Sequence, residues 1–446
     1  MSSDFSPAWS NTSIGASAYL KGRIGWQGLR ASEFIDEGPF LITGTDFVEG
    51  KIDWNKCYHV SEGRFQEAAY IHVKDSDLLV TKDGTIGKVA YVTDCPEKTV
   101  LNSGIFLVRC KDGSFEHRYL YQVLNSDFFA KFLRRHLAGS TINHLYQHVF
   151  IKFEFSIPDQ DIQVRIAEAL GAFDSAIETT SNLVKKYQWI KDGLMHDLFT
   201  RGVTEDGKVR PPRDQAPNLY KDTPIGWLPK DWDTKNLGDL LAPLPNALRS
   251  GPFGSALLKS QLVEDGCPLL GIDNVYREAF VDAYNRFVPQ NLFLELARYK
   301  VRPKDIVITI MGTVGRCCVL PDDIGNALSS KHIWTVTLDQ TQISPELVCW
   351  QLNYASWVLS WFRREGQGAV MDAIQSGTLK NLLLPVPTPI EQERILEKYN
   401  SIQSKIISEQ ENLAKLGMTK AGLMHDLLTG KVQIKTDIGI GEPAHV

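Results

Sequence analysis

The chain is short of the features that mark most enzymes and most membrane proteins. Its seven cysteines are odd in number and form no CxxC pair, so neither a zinc site nor a dithiol redox centre is expected, and reduced thiols in a cytosol are. No apolar run reaches the length of a membrane span and no signal-like N-terminus is present, so a cytoplasmic protein without membrane contact is expected. No GxGxxG precedes a helix and no GxxxxGK[ST] occurs, which argues against dinucleotide and P-loop nucleotide binding. NPPF and DPPY, the runs that accompany extruded-adenine chemistry, are missing too. Basic charge is also lacking: the net charge is −5 over 446 residues. A free-standing nucleic-acid binder is usually basic, so DNA contact requires segregated charge or a partner that supplies it. The remaining composition, 43% hydrophobic and 23% charged, is that of a globular protein with room for two or more cores.

What is present is a duplication. Residues 191–203, KDGLMHDLFTRGV, return at 420–432 as KAGLMHDLLTGKV, with nine of thirteen positions identical at an offset of 229. At that spacing Gln163, Arg165 and Ile166 fall on Gln392, Arg394 and Ile395, and Pro158 on Pro387. Upstream the offset becomes 228, where Asp77, Thr81, Gly84, Thr85 and Gly87 meet Asp305, Thr309, Gly312, Thr313 and Gly315. Near the start it is 223, which brings Trp9 onto Trp232. A chance match decays at once, so the whole chain is one unit used twice.

Each unit reads as a mainly β domain followed by a long helix. Short apolar runs bounded by Gly, Asp and Pro, among them FLIT, AAYIHV, DLLVT, KVAYVT and IFLVRC in the first unit and PLLGIDNV, DIVITI, RCCVL and HIWTVTL in the second, predict strands. Cys317 and Cys318 read as buried small apolar residues in or beside one of them. Residues 115–136 change to a period of 3.6, with Leu120, Leu124, Phe128 and Phe132 on one side, and predict one amphipathic helix; the corresponding segment of the second unit ends in Arg363 and Arg364. A hydrophilic, Pro-rich linker containing RPPRDQAP separates the units.

Residues 162–200 and 390–429 are free of proline. Spacings of four and three run through Ile166, Leu170, Phe173, Ile177, Thr180, Val184, Tyr187, Lys191, Leu194 and Leu198, and equally through Ile395 to Leu427, with polar exceptions at the same two steps, Thr180 and Lys191 against Glu409 and Lys420. Such a period defines a coiled-coil seam on helices roughly 55 Å long. Parallel packing in register sets Lys191 against Lys420. Antiparallel packing instead sets Lys191 near Ile402 and Lys420 near Phe173, with each ammonium reaching out to water. The expectation is an α+β fold: two tandem mainly β domains and two long helices forming an antiparallel coiled coil, related by a pseudo-twofold axis.

No catalytic constellation emerges. The GTIGK and GTVGR segments lie between strands and lack P-loop spacing, which makes them turns that need glycine. In His196-Asp197 and His425-Asp426, neighbours on a helix diverge by about 100 degrees, so neither orients the other as a general base requires. Asp159, Asp206 and Lys208 are too far apart along a helix for a nuclease set, and the second unit lacks the carboxylates at matching places. Loop residues that suit phosphate and base-edge contact are Lys21, Arg23, Trp26, Gln27, Arg30, Thr45, Asp46, Lys82, Asn143, His144 and Gln147 in the first unit. The second offers Arg249, Ser250, Phe253, Ser255, Asp273, Asn274, Arg316 and Lys331.

The repeated GLMHDL helix ends, Pro387-x-x-x-Glu391-Gln392-x-x-Ile395, the IGWLPxxW opening at 225–232, Pro252-Phe253-Gly254-Ser255 and the two Asp-to-GT[IV]G[KR] turns, in this order and duplicated, resemble the specificity subunits of type I restriction-modification systems over essentially the whole chain. The first copy departs: Ile162-Gln163 stands where the second has Glu391-Gln392, and GRIGWQG replaces the PFGS pattern. The resemblance implies a non-catalytic chain organised as target-recognition domains at 1–158 and 225–387, conserved helices at 159–202 and 388–432, a linker at 203–224 and a tail at 433–446. It implies a bipartite site on double-stranded DNA, with each domain reading one half and the helix pair setting the spacer. The implied partners are two methyltransferase subunits and, in a restricting system, two restriction subunits. S-adenosylmethionine, ATP and Mg2+ then belong to those partners, and this chain holds no cofactor or metal of its own. The competing readings are a DNA-free coiled-coil scaffold and an enzyme acting alone.

Overall fold

The structure is a computed structural model and describes residues 9–23, 28–137, 144–365 and 374–434. It contains two compact units, one of Met1–Leu183 with Glu409–Val446, the other of Val184–Ser408. Each therefore joins one β domain to a half of both long helices, α1 (Gln160–Thr200) and α2 (Pro389–Leu428). Among the described residues no helix is long and apolar enough to cross a membrane.

The β domains share one topology. In the first unit a four-stranded antiparallel sheet runs in the order Ala18–Gly22, Ile105–Cys110, Leu78–Thr81, Val89–Tyr91; in the second the order is Leu248–Ser250, Ile333–Val336, Ile306–Thr309, Cys317–Val319. The strands Leu78–Thr81 and Ile306–Thr309 are wholly buried because each divides two cores. Leu78 and Val80 pack into one cluster and Leu79 into the other, as the pleat requires. Ile306 and Ile308 alternate with Val307 in the same way, and Cys317 and Cys318 part to opposite faces. A smaller sheet in each unit sets a central strand, Ile35–Ile42 or Cys267–Leu270, beside a parallel neighbour, Thr99–Leu101 or Leu328–Ser329.

Two expected elements differ. AAYIHV is no strand: of its buried residues Ala68, Ile71 and Val73, the first two have a spacing of three, which closes a 3-10 turn at Ala69–Ile71. The helix expected over residues 115–136 is two helices, His117–Leu124 and Asp127–Leu137. Between them the Ser126 hydroxyl donates to the Val123 carbonyl at 2.6 Å, an alternative to the helical ladder that short polar side chains favour. The second unit is interrupted likewise, between Pro345–Tyr354 and Ser356–Glu365, at the extended residue Ala355.

One buried aspartate is neutralised differently in the two units. Asp77 accepts Arg109 of the neighbouring strand at 2.5 and 2.6 Å. Its counterpart Asp305 is paired instead with Arg249, which comes from the strand beyond that neighbour, while Thr337 stands where the first unit has Arg109. Removing either partner of such a pair leaves a buried charge uncompensated, at a cost of about 3–5 kcal/mol.

The long helices run antiparallel. In the first unit Ile166 and Leu170 share a core with Met424 and Leu427, and the Lys420 ammonium lies 2.5 Å from Asp174. In the second, Met195 and Leu198 share a core with Ile395 and Tyr399, and Lys191 Nζ lies 2.9 Å from Gln403. The seam is one residue from the expected register. The expectation that Lys191 reaches water is overturned: it is 3% exposed and ion-paired at 2.7 Å to Glu278, from the turn between Val275–Tyr276 and Ala279–Phe280. Tyr354 and Tyr399 donate to the same carboxylate.

The helix ends explain the duplicated motif. Met195, Leu198 and Phe199 enter the core around Trp232 and Ile306, whereas Met424, Leu427 and Leu428 enter the one around Ile14 and Phe129. The apolar residues of GLMHDL thus complete the β domain of the opposite repeat. Gln163 and Gln392 do the same work in each copy, donating to the carbonyls of Pro158 and Pro387 and accepting the amides of Glu116 and Ser344. Glu391 is particular to the second unit: it accepts the Val203 amide at 2.7 Å, the Trp232 indole at 2.8 Å and the Arg210 guanidinium. Arg210 ties down the Pro-rich segment. Gly202, at φ +67, passes so close that a Cβ there would lie 2.0 Å from Glu391 Oε1.

Candidate nucleic-acid interface

Each β domain gathers several of its candidate residues at one end of the four-stranded sheet. In the first unit Lys82 follows the strand Leu78–Thr81, and its carbonyl accepts the Leu145 amide at 2.9 Å, which draws in the loop that carries His144 and Gln147. Gln147 donates to the Leu20 carbonyl at 3.3 Å, beside exposed Lys21, and His144 pairs with Asp83. The Lys82 ammonium sits 5.1 Å from the Phe106 ring centre. Lys21, Lys82, His144 and Gln147 thus meet on one surface. The GTIG turn beside them folds through Gly84 and Gly87, both at positive φ, and the Thr81 hydroxyl donates to the Thr85 carbonyl at 2.5 Å. Thr45 and Arg30 are exposed on separate loops. Trp26, Gln27 and Asn143 lie outside the described residues.

In the second unit Phe253 is 57% exposed, with exposed Ser255 next to it. Lys331 is exposed beside His332. Asp273 is paired with Arg286, and Arg316 lies 5.3 Å from the Tyr276 ring centre, its guanidinium against Thr313. Ser250 is buried, its hydroxyl without a partner.

Besides Ser250, four candidates turn inward, and for Arg249, Asn274 and Asp46 the hydrogen bonds lie within the fold. Arg249 bonds within the fold through all three nitrogens, to Asp305, the Lys300 carbonyl at 2.8 Å, the Asn246 carbonyl and Thr337; burial pushes its pKa down to about 10. Asn274 accepts the Gly271 amide at 2.9 Å and donates to the carbonyls of Val281 and Ala283. Asp46 accepts the Thr43 amide at 2.7 Å, and burial raises its pKa. Arg23 is 3% exposed with Nε on the Leu101 carbonyl, and burial lowers its pKa. The sequence does not single out Arg286, Ser330 and His332. They lie between short, weakly patterned strands, and only the fold brings them near the first loop.

Exposed or half-buried cations thus stand at the same end of the same sheet in each unit, with the Gln147 amide in the first and the Phe253 ring in the second. Among the described residues no group of His, Cys, Asp and Glu could hold a metal ion. The family model for the type I restriction modification DNA specificity domain matches residues 31–186. The chain is 24% identical to the putative type I restriction enzyme MjaX specificity subunit of Methanocaldococcus jannaschii over 92% of this chain and 91% of that one. To the type I restriction enzyme MjaVIII specificity subunit of the same organism it is also 24% identical, over 92% and 93%. With the EcoBI specificity subunit of Escherichia coli the identity is 21% over 84% and 75%. Two solved structures share the fold. One chain, from work on complex assembly and conformational transition of the type I R-M system, superposes with a TM-score of 0.58 at 16% identity, over 96% of this chain and 99% of that one. The type I restriction-modification S subunit of M. genitalium superposes at 0.54 and 14% identity, over 96% and 98%.

Residues 31–186 thus match a type I DNA specificity domain, and the second unit repeats its sheet topology. Over most of its length the chain is similar in sequence to type I restriction enzyme specificity subunits.

Proposed function

We propose that this chain confers sequence specificity on a type I restriction-modification complex. Each β domain reads one half of a bipartite, asymmetric site on double-stranded DNA. The helix pair sets the spacer between the halves and docks two methyltransferase subunits and, in a restricting system, two restriction subunits. The observation that carries this reading is the repeated sheet end, identical in topology and different in residues: Lys82, His144 and Gln147 in one unit, Phe253, Ser255 and Lys331 in the other. One scaffold bearing two side-chain sets suits two unlike half-sites. The methyl donor, ATP and Mg2+ are assigned to the partners, which also share in neutralising phosphate and so reconcile DNA contact with a net charge of −5.

The test is co-expression with the methyltransferase subunit of the host system, followed by genome-wide mapping of N6-methyladenine. The expected result is a split motif with two defined halves and a fixed unspecific gap, lost when this chain is omitted. Methylation unchanged without the chain would favour the DNA-free scaffold.

A further inference from the structure

Beneath the first loop of the second unit lies a cavity of about 260 Å3. Pro252, Leu257, Leu262 and Leu269 form an apolar wall; Arg286, Ser330 and His332 form a polar one. Lys259 and Lys331, both exposed, stand at the rim, and no carboxylate is among the described residues that line it.

Two polar atoms at this cavity are buried without a partner. Ser330 is 7% exposed, and its backbone is fixed on both sides, the amide on the Leu270 carbonyl at 3.1 Å and the carbonyl accepting the Gly251 amide at 3.0 Å. Its hydroxyl is nevertheless unpaired. Arg286 is anchored to Asp273 through Nη2, while its Nε is buried and unpaired. A buried polar atom left unsatisfied costs about 1–3 kcal/mol, so two at one cavity mark a place that a ligand completes. His332 adds a third group. Burial, with Lys331 and Arg286 nearby, lowers its pKa, which keeps the ring neutral at pH 7; Nδ1 faces Met311 Sδ at 3.0 Å, leaving Nε2 for another partner.

We propose that this cavity receives a nucleobase turned out of the bound duplex, in the half-site read by the second unit. This rests on the DNA-reading function proposed above. The volume is on the order of the 300 Å3 at which small-ligand clefts begin, room for one base but not for a base pair. The leucine wall covers a ring face, the Ser330 hydroxyl and the Arg286 Nε–H meet the base edge, and Lys259 and Lys331 attract the flanking phosphates. An extruded base gains here the hydrogen bonds that the empty cavity leaves unmade.

A free nucleotide has the same chemistry, and the experiment separates the two. The complex of this chain with its methyltransferase subunit is mixed with duplexes carrying 2-aminopurine at each position of the mapped half-site in turn. The methylated adenine is itself extruded for the chemistry and serves as the internal standard. A several-fold fluorescence rise at one further position is expected, lost in both Ser330→Val and Leu257→Trp while the rise at the methylated adenine persists. That persistence shows that the variants still fold and bind. No further rise in a complex that methylates its site, or a rise that survives both variants, overturns the pocket and leaves the specificity function standing. Binding of 2-aminopurine nucleoside monophosphate to the DNA-free complex, lost in Ser330→Val, also overturns it, in favour of a free nucleotide. Absence of any split methylation motif refutes the function itself.

Discussion

Replacing Glu278 by glutamine leaves the Lys191 ammonium 3% exposed and among neutral groups alone, with the Gln403 carbonyl oxygen at 2.9 Å and the rings of Tyr399 and Tyr354 centred 4.8 and 5.4 Å away. Burial and the Glu278 carboxylate push both phenols well above their usual range, so both remain donors, but they bind different oxygens of Glu278 and the amide keeps an acceptor for only one of them. The loss is chiefly the charge, and uncovering one member of a buried pair costs about 3–5 kcal/mol. We take about 3 kcal/mol, the low end of that range, because the amide retains one of the two oxygens that the phenols bind. At 2–4 °C per kcal/mol for a unit of this size, the corresponding melting transition falls by roughly 6–12 °C. Differential scanning calorimetry of the full chain measures this. The equivalent lysine of the first unit, Lys420, is paired to Asp174, whose side chain is 36% exposed. Solvent screens that pair, so Asp174→Asn costs at most about 1 kcal/mol. Adding Lys191→Met to Glu278→Gln removes the orphaned charge and recovers at least half of the loss. Equal effects of the two single substitutions, or a double variant no more stable than Glu278→Gln, would falsify the reasoning.

Gly202→Ala forces a side chain into a left-handed residue and against Glu391 and Trp232, so it lowers the melting temperature by several degrees, where Gly193→Ala, with open space around it, does not. His117 has its pKa lowered by burial, so the folded chain binds fewer protons than the unfolded one just below the usual 6.5. Its contribution to stability is complete above pH 6.5 and is lost as the pH falls through that value towards the folded pKa. The melting temperature of the wild-type chain accordingly drops between pH 7 and 5 by more than that of His117→Asn. Inserting one heptad into both α1 and α2 lengthens the unspecific gap of the methylated motif and leaves both halves unchanged; an unaltered gap removes the helix pair from its role as spacer.

Periodicity made the long helices legible, since an apolar seam with two matching polar steps admits few alternatives. The antiparallel register followed from charge alone, but the fate of Lys191 did not. Glu278 lies 87 residues away along the chain on a turn with no visible pattern, and only tertiary packing brings it to the seam. The exchange of Arg109 for Arg249 as partner of the buried aspartate was hidden for the same reason: it depends on which strands are neighbours, and an arginine near a loop looks the same whether it faces solvent or core. Loop composition identified Lys82, His144 and Gln147, which the fold does bring together. It also named Arg23, which is buried, and Asp46, Arg249 and Asn274, whose polar groups bond within the fold. The break at Asn125 and Ser126 escaped notice because both flanking helices present their apolar residues to one core, so the period continues across it.

Met424, Leu427 and Leu428 belong to the same core as Ile14 and Phe129, and Trp9 packs against Gly430. The ribosome therefore makes the first domain some 250 residues before it makes the helix end that closes it, whereas Val184–Ser408 is contiguous and can close as soon as it emerges. Contacts of such long sequence separation form late, and apolar surface left open in the meantime invites aggregation. The domain synthesised first is the one finished last, so yield in the cell depends on how long an incomplete first domain can wait.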